Sequence, residues 1–291
     1  MQRTMAIAAA LALIGAGAAR ADDPAAARAP DKSGFTVFNP TPEADLRSLC
    51  TDRPTKSTSP CTVDAGHWQV ESDVYNVTTQ TEAGVTTVTQ LFTNPTLKLG
   101  VTNTIDVEAN IVPVEEVSVH DVATGATQRA TGAGDLFLRA KFNLIGDDGG
   151  AVGLAIEPYV KVPTAGRVLG DGAVEEGVLI PIQLSLPANW QLVIDPEFDA
   201  LANAVGAGRH LNASSLLSFS YPATKEVTLS VEVWGDANFD PSGTVEQGSF
   251  DLGAAWIPAS SPSFQLDGGV NLGLNRATPG LQAYVGVSRR F

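Results

Sequence analysis

The sequence predicts an all-β fold: a transmembrane antiparallel up-and-down β-barrel of about twelve strands, of the outer-membrane type. Three observations predict it. Apolar and polar residues alternate with period two in segment after segment. The connections between those segments run alternately long and short. The aromatic residues at the strand ends share the phase of the apolar face and gather at one end.

Composition sets the frame. The chain has 291 residues with 32 acidic and 18 basic side chains, a formal net charge of -14, 44 % hydrophobic and 17 % charged residues. So low a charged fraction argues against a disordered chain. The acidic balance excludes nucleic acid as a partner, because phosphate binding needs clustered Lys and Arg. Mean hydropathy is +0.06, a value that a barrel reaches by averaging one apolar and one polar face.

Residues 1–21 read as a signal peptide. Arg3 supplies the positive start, Met5 to Ala18 an Ala/Leu/Ile run, and Ala19-Arg20-Ala21 an A-x-A cleavage site. The run is short for a membrane span. Its removal takes Arg3 and Arg20 and leaves 16 basic against 32 acidic groups, a net charge of -16. Residues 22–65 then form an N-terminal segment, either a periplasmic tail or a plug that folds back into the lumen. Cys50 and Cys61 are the only two cysteines, and an exported chain predicts that they pair as a structural disulfide. Two Cys and the distant His67 do not make a metal site, so no metal and no cofactor are expected.

The barrel is expected over residues 66–291. Trp68, Val70, Ser72 and Val74 alternate with Gln69, Glu71, Asp73 and Tyr75, and a less regular strand follows through 86–101. Ile105, Val107, Ala109 and Ile111 alternate with Asp106, Glu108 and Asn110. Leu136, Leu138, Ala140 and Phe142 alternate with Asp135, Arg139, Lys141 and Asn143. The pattern recurs at 152–162, 178–186, 190–200, 211–221, 227–233, 250–258, 264–274 and 281–291. Long connections are expected near 79–85, 117–132, 163–173, 203–209, 237–246 and 275–280. Short ones fall at 101–103, 146–150, 187–189, 222–225 and 259–262. An even strand number with short periplasmic turns places both termini in the periplasm. Trp68, Phe142, Trp190, Tyr221, Trp256, Phe264 and Phe291 then form a membrane girdle at the periplasmic interface, where amphipathic rings are most stable. Phe198 and Phe250 mark a thinner girdle at the outer rim. A soluble sandwich would not sort its rings to one end.

The last strand alternates from Leu281 to a terminal Phe291. It resembles the C-terminal signal by which outer-membrane barrels are recognised, which implies the barrel-assembly machinery as a partner beside outer-membrane lipid.

Several motifs also carry a family resemblance. Thr51-Asp52-Arg53-Pro54, Ser59-Pro60 and Val63-Asp64-Ala65-Gly66-His67-Trp68-Gln69-Val70-Glu71 come first. Gly134-Asp135-Leu136 with Arg139-Ala140-Lys141-Phe142-Asn143-Leu144 follows, then Lys161-Val162-Pro163-Thr164. Together they resemble the outer-membrane "transporter" family named for the meta-pathway of phenol degradation (MetA-type), over roughly residues 51 to 291. The resemblance implies a channel or transporter for small, aromatic or hydrophobic solutes.

The polar faces should line the lumen, with Glu71, Asp73, Asp106, Glu108, Asp135, Arg139, Lys141, Glu157, Lys161, Asp195, Glu197 and Asp199 as candidates. Arg139, Lys141 and Lys161 lie on two neighbouring strands, and Asp195, Glu197 and Asp199 on one expected roughly across the barrel. That opposition predicts a transverse field or an internal salt-bridge mesh. A solvated acidic wall is the plainer alternative.

An enzyme is the competing class, since twelve-stranded barrels include a phospholipase with a Ser/His/Asn site. A nucleophile needs a base within hydrogen-bond reach. His67 is expected at the periplasmic edge, His120 in a long loop, and His210 near Asn212 and Ser214 at the outer rim. A rim histidine needs no catalytic explanation, so no catalytic residue is assigned. Gly146-Asp147-Asp148-Gly149-Gly150 and Gly170-Asp171-Gly172 read as turns rather than ion sites.

Overall fold

The computed structural model describes residues 31–291; the signal-peptide reading of residues 1–21 and the first part of the N-terminal segment lie outside the described residues. The barrel is built of twelve strands. They are β1 (Trp68–Glu82), β2 (Val85–Thr102), β3 (Ile105–Ile111 with Val114–Asp121) and β4 (Thr127–Gly132 with Leu136–Ile145). Next come β5 (Val152–Val162), β6 (Glu175–Leu179 with Ile182–Ser185), β7 (Gln191–Ile194 with Glu197–Ala202) and β8 (Arg209–Pro222). The last four are β9 (Val227–Asn238), β10 (Val245–Trp256), β11 (Phe264–Gly273) and β12 (Leu281–Arg290). Each strand pairs antiparallel with the next, and β1 pairs with β12 from Gln69↔Arg290 to Thr79↔Leu281, which closes the sheet. Closure removes both sheet edges.

Three of the four breaks within strands fall at a proline. Pro113, Pro181 and Pro196 interrupt β3, β6 and β7, because proline brings no N–H to the ladder. Neighbouring backbone bridges the gaps: Ile180 donates to the Pro196 carbonyl at 2.9 Å and Ala155 to that of Pro181 at 3.1 Å.

Burial is inverted relative to a soluble protein. Asp106, Glu232, Asp251 and Lys141 are fully buried, whereas Leu138, Val233, Leu252 and Val285 are exposed on the outer face. Charged residues almost never occupy the inside unless paired, and such an exterior suits hydrocarbon rather than water. Among the described residues no helix is long and apolar enough to cross a membrane.

Two connections differ from expectation. Residues 79–85 form no long loop: β1 and β2 continue to a tight turn at Ala83 and Gly84, with Glu82 paired to Val85. Residues 117–132 likewise form a hairpin, with Val117 opposite Ala130, so His120 lies in β3 rather than in a loop. These stretches are rich in Thr and Val, whose branched side chains favour strand. Their outward face carries Gln90, Glu116, Ser118, His120 and Arg129, which hid the apolar alternation.

One end of the barrel carries the short turns and the other the long loops. Trp68, Phe142, Trp190, Tyr221, Trp256 and Phe291 are exposed at the short-turn end, with Phe264 half-buried beside them. The rings of Trp190 and Tyr221 meet in a tilted contact with centroids 4.9 Å apart.

Candidate functional site

The barrel interior is built around the segment that precedes β1. Thr36 bridges Thr102 at the short-turn end, and the chain then turns inward. Arg47 donates to the Thr62 carbonyl at 2.9 Å and to Asp148 at 2.9 Å. Cys50 and Cys61 are joined by a disulfide with their Cα atoms 6.5 Å apart. Ser59 N–H donates to Asp52 at 2.7 Å across the same loop.

Within that loop every charged side chain has a partner on the wall. Arg53 bonds Asp73 of β1 at 2.6 Å and Asp267 of β11 at 2.7 Å. Lys56 bonds Asp251 of β10 at 2.8 Å, and the N–H groups of Lys56 and Ser57 donate to Glu232 of β9 at 3.1 and 3.2 Å. Thr58 N–H donates to Asp195 at 2.8 Å and Val63 N–H to Asp106 of β3 at 2.9 Å. A segment tied to inward side chains on opposite sides of a closed barrel lies across its interior.

Asp52 is the centre of the densest cluster. It accepts from Lys98 of β2 and from Lys141 of β4, the latter at 2.8 Å. Lys98 also reaches Glu71 at 2.8 Å, and Lys141 reaches Glu157 at 3.3 Å and Glu108 at 3.5 Å. Oxygens of Asp52, Glu108 and Glu157 converge within 4.8 Å, a spacing that could hold a cation. The two ammonium groups sit among these carboxylates and take that place. Buried charges are tolerated only when paired in this way.

The other lumen candidates form a second group toward the long loops. Lys161 bonds Glu175 at 2.7 Å and Asp171 at 2.5 Å, with Asp135 at 3.8 Å. Arg139 approaches Glu157 at 3.6 Å. Asp199 accepts from Tyr159 at 2.8 Å and from Asn212 at 3.1 Å. The expected opposition across the barrel is corrected here. Asp195, Glu197 and Asp199 belong to β7, separated from Lys161 on β5 by β6 alone. Gly177 of β6 makes the β5–β7 approach possible, since a Cβ there would collide with Asp199 and the Tyr159 ring. Gly177→Val is therefore expected to destabilise the barrel by about 1–3 kcal/mol through overpacking, read as a lower melting temperature in heat-modifiable gel migration.

The histidines make structural contacts, and His210 is not bonded to Ser214. His67 places Nε2 2.8 Å from the Thr41 carbonyl and Nδ1 3.0 Å from that of Phe291, pinning the inner segment to the barrel seam. His120 bonds the Thr127 hydroxyl at 2.9 Å. His210 Nδ1 faces Asn203 at 3.1 Å and Asp240 at 3.3 Å, while the Ser214 hydroxyl donates to Glu197 at 3.4 Å.

Residues whose part in the interior sequence reasoning missed are Arg47, Asp52, Arg53, Lys56, Asp64 and Asp148, whereas Lys98 is inward as its strand parity predicts. The signal was an ion-rich leader, with cations at 47, 53 and 56, ahead of a strongly acidic wall. At the short-turn end Asp64 pairs with Arg290 at 3.0 Å, and Asp148 with Lys32 and Arg47, both at 2.9 Å. Burial raises the Asp148 pKa, but hydrogen bonds from Lys32, Arg47 and Asn103 outweigh it and hold the carboxyl at about 2. A depressed carboxylate contributes stability that is complete above the ordinary Asp value and is lost as pH falls through the folded one. The melting-temperature gap between wild type and Asp148→Asn is thus expected to be constant from neutral pH to about 4 and to close toward about 2. A gap independent of pH would count against this anchor.

No curated protein matches the sequence. An outer membrane channel from Pseudomonas putida F1 is similar in structure, with a TM-score of 0.62 and 15% identity over 83% of this chain and 100% of that one. The translocator domain of the autotransporter NalP from Neisseria meningitidis gives 0.47 and 12% over 77% of this chain and 88% of that one. The CymD monoaromatic hydrocarbon channel gives 0.43 and 9%, over 77% and 87%. The first of these likenesses, together with the closed twelve-stranded sheet, makes the fold an outer-membrane barrel. The pattern of the family described as "Putative MetA-pathway of phenol degradation" matches residues 51–291, and the chain belongs to that family.

Proposed function

We propose that the protein is an outer-membrane channel for small solutes whose lumen is narrowed by its own N-terminal segment. One observation carries the reading: a segment held by Arg53, Lys56 and Asp52 lies across a barrel with an apolar exterior and an acidic interior. Aromatic solutes follow from the family's description. Both termini and the short turns face the periplasm, and the aromatic girdle lies at that interface. The strand ending in Phe291 engages the barrel-assembly machinery. The protein has no catalytic role, since Ser214 bonds Glu197 rather than His210. Proteoliposomes should admit phenolic solutes faster than protein-free vesicles, measured by swelling, while excluding oligosaccharides. Equal rates for all solutes would overturn the reading.

A further inference from the structure

Between the inner segment and the wall lies a cleft of about 150 Å³, lined by Arg53, Lys56, Asn76, Asn271, Gln282 and Tyr284 among others. It sits on the long-loop side of Arg53, where a solute arriving through the outer mouth meets the constriction. A cavity of this volume holds one benzene-sized ring.

Its wall is unusual in chemistry. Asn271 donates to Gln282 at 2.7 Å, Gln282 to Asn76 at 3.2 Å, and Asn76 to Asp73 at 3.0 Å. The chain of amides runs toward Asp73, which accepts from Arg53. Its free end is Asn271 Oδ1, buried and without a hydrogen-bond partner among the described residues. A buried acceptor left unpaired costs about 1–3 kcal/mol unless a donor arrives. Arg53 spends three of its N–H groups on Asp73 and Asp267, and a guanidinium has about five. The Tyr284 hydroxyl has no partner among the bonds of the described residues, and its ring lies 5.8 Å from the Arg53 guanidinium. The cleft thus offers unspent donors together with one unspent acceptor.

Charge selects among ligands. Arg53 and Lys56 line the cleft together with Asp73, and both cations are already paired, Arg53 with Asp73 and Asp267 and Lys56 with Asp251. An anion therefore finds no unpaired cation there. A neutral hydroxyl both accepts from Arg53 or Tyr284 and donates to Asn271.

We infer that this cleft is a solute-binding site for a neutral six-membered ring bearing adjacent hydroxyl groups, and that it rejects carboxylates of the same size. The inference rests on the channel reading for its purpose but not for its test, because binding is measured without transport. Calorimetric titration of the full chain in detergent would compare catechol, myo-inositol and benzoate. Catechol or inositol should bind, and benzoate should bind at least about tenfold more weakly. Preference for catechol makes the ring aromatic, and preference for inositol makes it aliphatic; either supports a diol site. Gln282→Leu and Tyr284→Phe should each weaken that binding by about tenfold, with folding checked by heat-modifiable migration. Tyr284→Phe keeps the ring and removes only the hydroxyl, so it stays informative should Gln282→Leu fail to fold. Benzoate binding as tight as the diols, failure of both diols to bind, or unchanged affinity in a folded variant would overturn the site. Diol binding by a protein that admits no solute in swelling assays would uphold the site and sink the channel.

Discussion

Deleting residues 31–65 while keeping the export signal is expected to convert a constricted barrel into a wide, strongly conducting, cation-selective one. The segment's cations are bonded one by one to the wall: Arg53 to Asp73 and Asp267, Lys56 to Asp251, and Arg47 to Asp147 and Asp148. Its backbone N–H groups also satisfy Glu71, Asp106, Asp195 and Glu232. Once it is gone, those carboxylates regain water and face an open lumen. Rings of acidic side chains select cations. Planar-bilayer conductance with reversal potentials in a salt gradient reads both effects. A deletion protein that folds, yet conducts no better than the full chain or passes anions preferentially, would sink the constriction.

Lys141→Met is expected to be the most damaging single substitution, costing about 3–5 kcal/mol. Lys141 is 1 % exposed, and its ammonium lies among Asp52, Glu108 and Glu157. Methionine fills the volume, so the loss reports charge rather than a cavity. Asp52 and Glu108 would be left with Lys98 and Glu157 with Arg139, at 3.6 Å, as their remaining cations. The exposed pair Arg209–Glu176, at 3.8 Å, is the matched control. Arg209→Met should cost less than about 1 kcal/mol. Urea titration followed by heat-modifiable migration measures both. A Lys141→Met barrel as stable as Arg209→Met would show that the cluster contributes nothing to the fold.

Much of the fold was readable because a barrel strand is an autonomous pattern. Leu136, Leu138, Ala140 and Phe142 announce an outward face whatever their neighbours do, and the rings at the strand ends add a second, independent phase. The reach of β1 to β4 beyond that pattern was not readable. There the outward face carries Gln90, Ser118 and Arg129, so period two is present without a change in hydropathy. The lumen was readable residue by residue but not pair by pair. Glu71, Glu108, Lys141 and Glu157 could each be assigned an inward direction from parity. Their convergence on Asp52 depends on the path of a segment with no periodicity. Gly177 carried no signal at all, because its role is to leave room between side chains on β5 and β7.

The inner segment has a consequence for assembly as well as for passage. It is made before β1, and its partners extend from β1 to β12, where Arg290 donates to the Arg47 carbonyl at 2.8 Å and pairs with Asp64. The last strand therefore finds part of its docking surface on the segment that precedes β1. An empty acidic cylinder would repel itself as it curled. A segment in place before closure would act as a mandrel, its cations offsetting that repulsion, and the pairing of β1 with β12 would then seal it in.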